Sequence, residues 1–268
     1  MTGTAGAKGA ATFDVAAEAY DRHIGRYGAA LGRQLIAAAR VGPGMDALDV
    51  GCGPGPLTAQ LVALLGAAHV SAVDPSPSFA AACRARHPGV TVRLAAAEAL
   101  PFDDATFDAA LAQLVVNFMT DPVKGVGEMA RVTRPGGVVA AAVWDYAGGM
   151  TLLRTFWDTV TALDPDAADR DEALRMRFAA PDELAGLWAT VGLRDVRTQA
   201  ADVTASYTGF EDLWSPFAAG VGPAGAHAAA LDADRRATLA EAFRARLGVA
   251  DAPFELAARA WVVTGRVA

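Results

Sequence analysis

Leu48-Asp49-Val50-Gly51-Cys52-Gly53-Pro54-Gly55-Pro56-Leu57-Thr58 decides how the 268-residue chain is read. An apolar run, 46–50, leads into three glycines at alternate positions, and a second apolar run, 57–65, follows at once. The pattern is strand, tight glycine turn, helix. Glycine lets the backbone turn sharply and lets a ligand come close to the main chain. The helix behind the turn starts with N–H groups that lack intrahelical partners and with a partial positive charge. The stretch therefore predicts a polar or anionic cofactor group at the turn.

The spacing narrows the choice. A dinucleotide fingerprint, G-x-G-x-x-G, needs its third glycine where Pro56 stands when counted from Gly51. A phosphate loop needs Gly-Lys-Ser/Thr, and no lysine lies here. What remains is Asp-x-Gly-x-Gly-x-Gly. In this motif the chain resembles the class I methyltransferases that use S-adenosylmethionine (SAM). An ordinary structural glycine turn is the alternative.

Working outward, strands are expected at 46–50, 69–73, 91–94, 107–114 and 138–144, and helices at 56–65, 76–86 and 123–132. Short apolar strands alternating with helices predict a doubly wound, mostly parallel α/β sheet covered on both faces. A helical leader, 13–41, precedes this core, with breaks near Gly25 and Gly28, and Met1 to Ala11 read as a loose tail. After Trp144 the rhythm changes. Helices are expected at 151–163, 181–191, 210–219 and 232–247, strands at 193–206 and 254–267, and a loop at 220–226. The resemblance implies a Rossmann-like sheet of seven strands, the last antiparallel, with helical lid insertions over the substrate. The domain plan is a tail, 1–12, and one domain, 13–268, with its core at 45–145 and a variable part at 146–268.

Asp74 is the second strong signal. It ends the second strand about twenty residues beyond the turn, where nucleotide-binding sheets carry a ribose-binding carboxylate. The other reading is a turn or capping aspartate beside Pro75. In the resembled family the residue at Pro75 lies against the adenine. The run Ala95-Ala96-Ala97-Glu98-Ala99-Leu100-Pro101-Phe102 resembles the family's Asp-Ala-Glu-x-Leu-Pro-Phe loop, but its aspartate is Ala96 here. Glu98, a backbone carbonyl at Ala97, or water is left to meet the adenine amino group. Gln113 ends the fourth strand, where the resembled family places groups near the methionine part of SAM; its main chain would then accept from the SAM amino group, or it is an ordinary strand-end polar residue. Asp49 is expected to order the turn by accepting backbone N–H bonds and to reach the SAM amino group through water.

Tyr20-Asp21-Arg22-His23-Ile24-Gly25-Arg26-Tyr27 resembles the leader of small-molecule members. There Arg26 would fork the SAM carboxylate and Tyr20 would serve as a wall or donor. His23 is a candidate base, since imidazole titrates near neutrality, or a plain wall residue. Trp144, Tyr146, Trp214 and Phe217 are candidates for an apolar acceptor pocket, or ordinary core.

Composition bounds the rest. A hydrophobic share of 53% supplies a large core. The formal charge of −7, with Lys8 and Lys124 the only lysines, argues against a nucleic-acid footprint. No run approaches a membrane span, and Cys52 and Cys83 fit neither a disulfide framework nor a zinc site. The expectation is a cytoplasmic, bacterial methyltransferase, monomer or homodimer, without metal. It would transfer a methyl group from SAM to an O, N or C atom of a small, largely apolar molecule. Two rivals stay open: a non-catalytic SAM- or nucleoside-binding module, and an NAD-dependent oxidoreductase, which the missing third glycine disfavours.

Overall fold

The computed structural model describes residues 23–268. The predicted tail and the first part of the leader, Tyr20 included, lie outside the described residues.

Seven strands, β1 (Ala47–Val50), β2 (Val70–Asp74), β3 (Thr91–Leu94), β4 (Phe107–Gln113), β5 (Thr133–Trp144), β6 (Arg194–Tyr207) and β7 (Phe254–Arg266), form one sheet. Their order is β3-β2-β1-β4-β5-β7-β6. β1 to β5 pair in parallel, with Ala47 beside both Val70 and Ala109, Ser71 beside Thr91 and Ala110 beside Val139. β7 runs against β5: Gly136 N–H donates to Val267 O, and Val267 N–H to Gly137 O, each at 3.0 Å. The chain order reverses between β1 and β4. In such sheets the ligand crevice opens at the carboxyl ends of the two strands on either side of that reversal.

Nine helices accompany the strands: α1 (Gly28–Ala39), α2 (Pro56–Leu65), α3 (Pro77–Arg86), α4 (Pro122–Val132), α5 (Thr151–Leu163), α6 (Pro181–Thr190), α7 (Phe210–Ala218), α8 (Gly222–Ala230) and α9 (Ala233–Leu247), counted among the described residues. Proline opens α2, α3, α4 and α6, where its missing N–H costs nothing. Ser76, Asp121 and Asp232 cap α3, α4 and α9 by accepting from Phe79, Lys124 and Arg235 N–H.

Two local expectations are corrected. Residues 222–226, within the stretch read as a loop, supply the start of α8. Gly222-Pro223 looks like a turn signal, but proline in the first turn of a helix lacks only an N–H that would have no intrahelical partner, and the alanine run behind it continues the helix. The fifth strand, expected to start at 138, begins earlier, and Arg134-Pro135-Gly136-Gly137 lies within β5. The ladder jumps there: Phe107 faces Thr133, while Ala109 already faces Val138, so these four residues bulge out of register.

The chain falls into two compact units. The sheet unit comprises Gly28–Val143, Phe178–Ala201 and Ala260–Ala268. Its centre is β1 and β4, flanked by α1 and α2, and every residue of β1 is buried. Trp188 of α6 is fully buried and donates from Nε1 to Val139 O at 3.0 Å, tying that helix to β5.

The second unit, whose described part comprises residues 23–27, Trp144–Arg177 and Asp202–Arg259, is built round aromatic rings. Phe217 stacks on Phe156 at 4.8 Å and on Trp214 at 5.9 Å, Trp214 stacks on Phe210 at 6.1 Å, and Phe243 meets all four. Stacked and edge-on contacts at these distances are the favoured aromatic geometries.

Candidate functional site

The glycine turn lies in the sheet unit, between β1 and α2. Its three glycines have different reasons to be glycine. All three take positive φ. A Cβ on Gly51 would lie 2.4 Å from Val115 Cγ2, and one on Gly55 would lie 2.5 Å from His87 Nε2. A Cβ on Gly53 would have nothing within 4 Å. Gly51 and Gly55 are therefore demanded by packing inside the protein. Gly53 borders open space, and it is the place where a ligand can approach the backbone.

The amides of the turn are already committed. Gly51 and Cys52 N–H both donate to Val73 O, at 2.8 and 2.9 Å, and Gly55 N–H donates to Cys52 O at 3.0 Å. Gly53 N–H donates to Asp74 Oδ2 at 2.8 Å. Pro54 has no N–H. The turn amides do not form a ring of donors for a phosphate. What the site offers is carboxylate.

Asp74 ends β2 and is almost fully buried. Oδ2 takes Gly53 N–H, and Oδ1 takes Ser76 N–H at 2.8 Å. Burial pushes its pKa up, and these two bonds only partly offset that. One lone pair remains on each oxygen, the set needed for a pair of vicinal hydroxyls.

Asp49 is fully buried in β1. It was expected to accept turn amides. Instead Thr58 of α2 donates its hydroxyl to Asp49 Oδ2 at 2.6 Å, and Asp49 Oδ1 has no partner among the described residues. The reason is direction: the turn amides are drawn to Val73 O and Asp74, while Thr58 faces β1. Burial, only partly offset by the Thr58 bonds and reinforced by nearby Asp74, pushes the Asp49 pKa from 3.8 up to about 7. A buried, half-partnered carboxyl beside a second one favours a cationic or hydroxyl-bearing ligand and disfavours a diphosphate.

The remaining sheet-unit candidates divide. Gln113 Nε2 donates to Gly28 O at 3.1 Å, and its buried Oε1 has no partner among the described residues. Leu114 beyond it takes φ +63, a left-handed conformation that is unusual for leucine and marks strain at the carboxyl end of β4. Glu98 Oε1 accepts from Thr120 N–H at 2.8 Å and Asp121 N–H at 3.2 Å, so this carboxylate braces the approach to α4. Ala97 is buried beside it and Pro75 is exposed.

In the second unit, Arg26 donates to both carboxylate oxygens of Asp212 and to Ser206 O, so its guanidinium already holds an internal fork. His23 is buried edge-on to Phe217 at 4.7 Å. Burial, and to a lesser extent Arg26, push its pKa down to about 4. The ring is neutral at pH 7 and a weak base. Trp144 is buried with its Nε1–H lacking an acceptor among the described residues, and Tyr146 is buried two residues on. Trp214 and Phe217 sit inside the aromatic stack.

Sequence reasoning missed the supports of the turn. Thr58 holds Asp49, and His87 Nε2 donates to Gly55 O at 3.1 Å. Cys83 Sγ approaches Thr58 Oγ1 at 3.6 Å. A hydroxyl on the first turn of the helix after the glycines was the one signal available for Thr58.

Comparison with known proteins agrees with this geometry. Residues 48–141 match the family model described as a methyltransferase domain. An uncharacterized protein of Mycobacterium tuberculosis is 32% identical over 177 residues, covering 63% of this chain and 64% of that protein. Malonyl-[acyl-carrier protein] O-methyltransferase of Erwinia billingiae is 35% identical over 130 residues, 48% of this chain and 51% of that one. The solved structure of a putative type II methyltransferase from Anaeromyxobacter dehalogenans is 25% identical, with a TM-score of 0.60, covering 89% of this chain and 96% of that one. The chain thus spans less than two thirds of the length of the curated relatives it matches. Residues 48–141 thus carry a segment similar to methyltransferase domains, consistent with the class I SAM-dependent methyltransferases.

Among the described residues no helix is long and apolar enough to cross a membrane, and no group of three or more His, Cys, Asp or Glu could hold a metal.

The Asp49 carboxyl carries a pH signature. Its pKa is higher folded than unfolded, so its contribution is full below about pH 4 and is lost as pH rises through about 7. Between those limits the loss is up to about 4 kcal/mol at 1.36 kcal/mol per unit. Asp49→Asn is expected to remove that slope. Denaturant unfolding of both proteins at pH 5, 6, 7 and 8 should show a stability difference that grows in favour of the variant. A constant difference would place the Asp49 pKa near its ordinary value.

Proposed function

We propose that the protein transfers a methyl group from SAM to an O, N or C atom of a small, largely apolar molecule. The observation that carries the cofactor half is the pair of buried, half-partnered carboxylates, Asp49 and Asp74, beside the open face of Gly53. SAM presents what they lack: a ribose diol for Asp74 and an ammonium group for Asp49. NAD would bring a diphosphate to a turn whose amides are spent.

SAM when bound supplies a methyl group on a sulfonium, a leaving group that needs no acid. The chain's own task is then to hold, orient and exclude water. Gly53 N–H and Ser76 N–H fix the Asp74 carboxylate in the plane that hydroxyls would meet. Thr58 fixes Asp49 so that Oδ1 faces away from its one donor. Gln113, pinned to Gly28 O, keeps Oε1 as an acceptor at the end of β4. On the acceptor side, the richness of the second unit in aromatic rings supports an apolar substrate. His23, neutral at pH 7, is able to take a proton but not to hold it strongly.

Calorimetry tests the cofactor half. S-adenosylhomocysteine (SAH) should bind and NAD should give no saturable heat. Asp74→Ala should weaken SAH at least about tenfold, since two hydrogen bonds to a charged group are removed. Unchanged affinity in the folded variant would make Asp74 a turn residue only. Transfer of labelled methyl from SAM into small molecules of a bacterial extract tests the catalytic half. Strong SAH binding with no transfer to any fraction would favour a non-catalytic module.

A further inference from the structure

We propose that the sheet unit carries a second binding site, for a small phosphate-bearing anion, at the end of the sheet opposite the glycine turn. A cavity of about 290 Å³ is lined by Arg40, Arg197 and Arg266, by Asp195, and by a floor that includes Val138 and Gly265. Val138 lies beside Ala109, and Ala109 beside Ala47, so the cavity sits at the amino ends of β5, β4 and β1. The glycine turn leaves the carboxyl end of β1.

Three arginines and one aspartate line this cavity in a protein whose formal charge is −7. Arg266 is held in place, donating from Nη1 to Gly136 O at 2.7 Å. The guanidiniums of Arg40 and Arg197 make no hydrogen bond or ion pair with any described residue. The floor is rigid. Val138 is buried, and a Cβ on Gly265 would lie 2.7 Å from Trp188 Cδ1, so β7 is pressed against a ring that is itself tied to Val139 O. Unspent planar forks round a fixed floor suit phosphoryl oxygens, which guanidinium meets two at a time. Asp195 supplies an acceptor on the rim for a hydroxyl beside the phosphate. The volume suits a ligand the size of pyrophosphate or a pentose phosphate.

Arg40 and Asp195 both hold left-handed backbones, φ +55 and φ +51. Glycine takes that conformation without cost. Arg40→Gly and Asp195→Gly therefore each delete one charge while relieving strain, and both variants should fold. Pyrophosphate and ribose 5-phosphate, titrated calorimetrically into the full chain at constant ionic strength, are the probes. Saturable binding with Kd below about 1 mM is expected for at least one of them. Arg40→Gly should weaken it about fivefold or more, and Asp195→Gly should leave pyrophosphate binding stronger. Stronger ribose 5-phosphate than pyrophosphate binding would assign the site to phosphate esters, and the reverse to free diphosphate. No saturation below about 10 mM, equal binding by Arg40→Gly, or an equal response to sulfate would overturn the proposal.

Discussion

A Gly53→Val variant is expected to fold and to lose SAH binding by about a hundredfold or more. The Cβ of residue 53 would meet nothing of the protein within 4 Å, so no side chain has to move. The cost to the fold is conformational. A β-branched residue at φ +53 sits in the left-handed region at roughly 1–3 kcal/mol. The cost to binding is steric, because the space the valine fills is the space left beside Asp74 and Asp49. The two flanking glycines give the contrast. Gly51→Val would drive its side chain into Val115, and Gly55→Val into His87 and Cys83, so both should unfold the sheet unit or fail to express. Melting curves with SAH titration of the three variants decide the matter. If Gly53→Val folds and binds SAH normally, the open face of the turn is not where the cofactor lies. If Gly51→Val and Gly55→Val fold normally while Gly53→Val does not, the division of labour within the turn is wrong.

The same turn shows how far sequence reading reached. Three alternating glycines after Asp49, and Asp74 at the end of the next strand, are local patterns, and local patterns carry sheet type and ligand end. The strand and helix order followed because each parallel strand is a short apolar run and each return helix opens on a proline or a capping residue. What the turn does with its amides was not legible. The sequence suggested free donors only at the helix start behind the turn, and it did not show that Gly51 and Cys52 reach across to Val73 O on the neighbouring strand. That contact depends on register, and register is not written in either segment by itself.

Long-range pairing hid the rest. Arg26 looked available for a carboxylate ligand because its segment resembles the leader of small-molecule methyltransferases. Its partner, Asp212, lies 186 residues away. His23 looked like a base because histidine titrates near neutrality, whereas burial against Phe217 determines what it does. The aromatic residues after Trp144 were visible as a cluster in composition, but whether a ring lines a pocket or fills a core depends on which other rings reach it.

Trp214 makes that last distinction measurable. Its ring is buried, stacked between Phe210 and Phe217 and tilted against Phe243. Trp214→Ala removes a large apolar surface and leaves a cavity among rings that cannot all close on it. The expected cost is roughly 3–5 kcal/mol, which for a protein of this size lowers the melting temperature by roughly 10 °C. Leu174→Ala is the control, because that side chain is 72% exposed and its loss should change stability by less than about 0.5 kcal/mol. All the proposed cofactor contacts are in the sheet unit, so SAH affinity of Trp214→Ala measured well below its melting temperature should stay within about threefold. Methyl transfer, once an acceptor is known, then separates two roles for the ring. A loss of turnover beyond what the unfolded fraction explains would give Trp214 a part in holding the acceptor as well as the unit. Turnover that tracks the folded fraction would make it a core residue alone. A melting temperature unchanged by the substitution would mean that the stack does not carry the second unit, and that the ring borders open space.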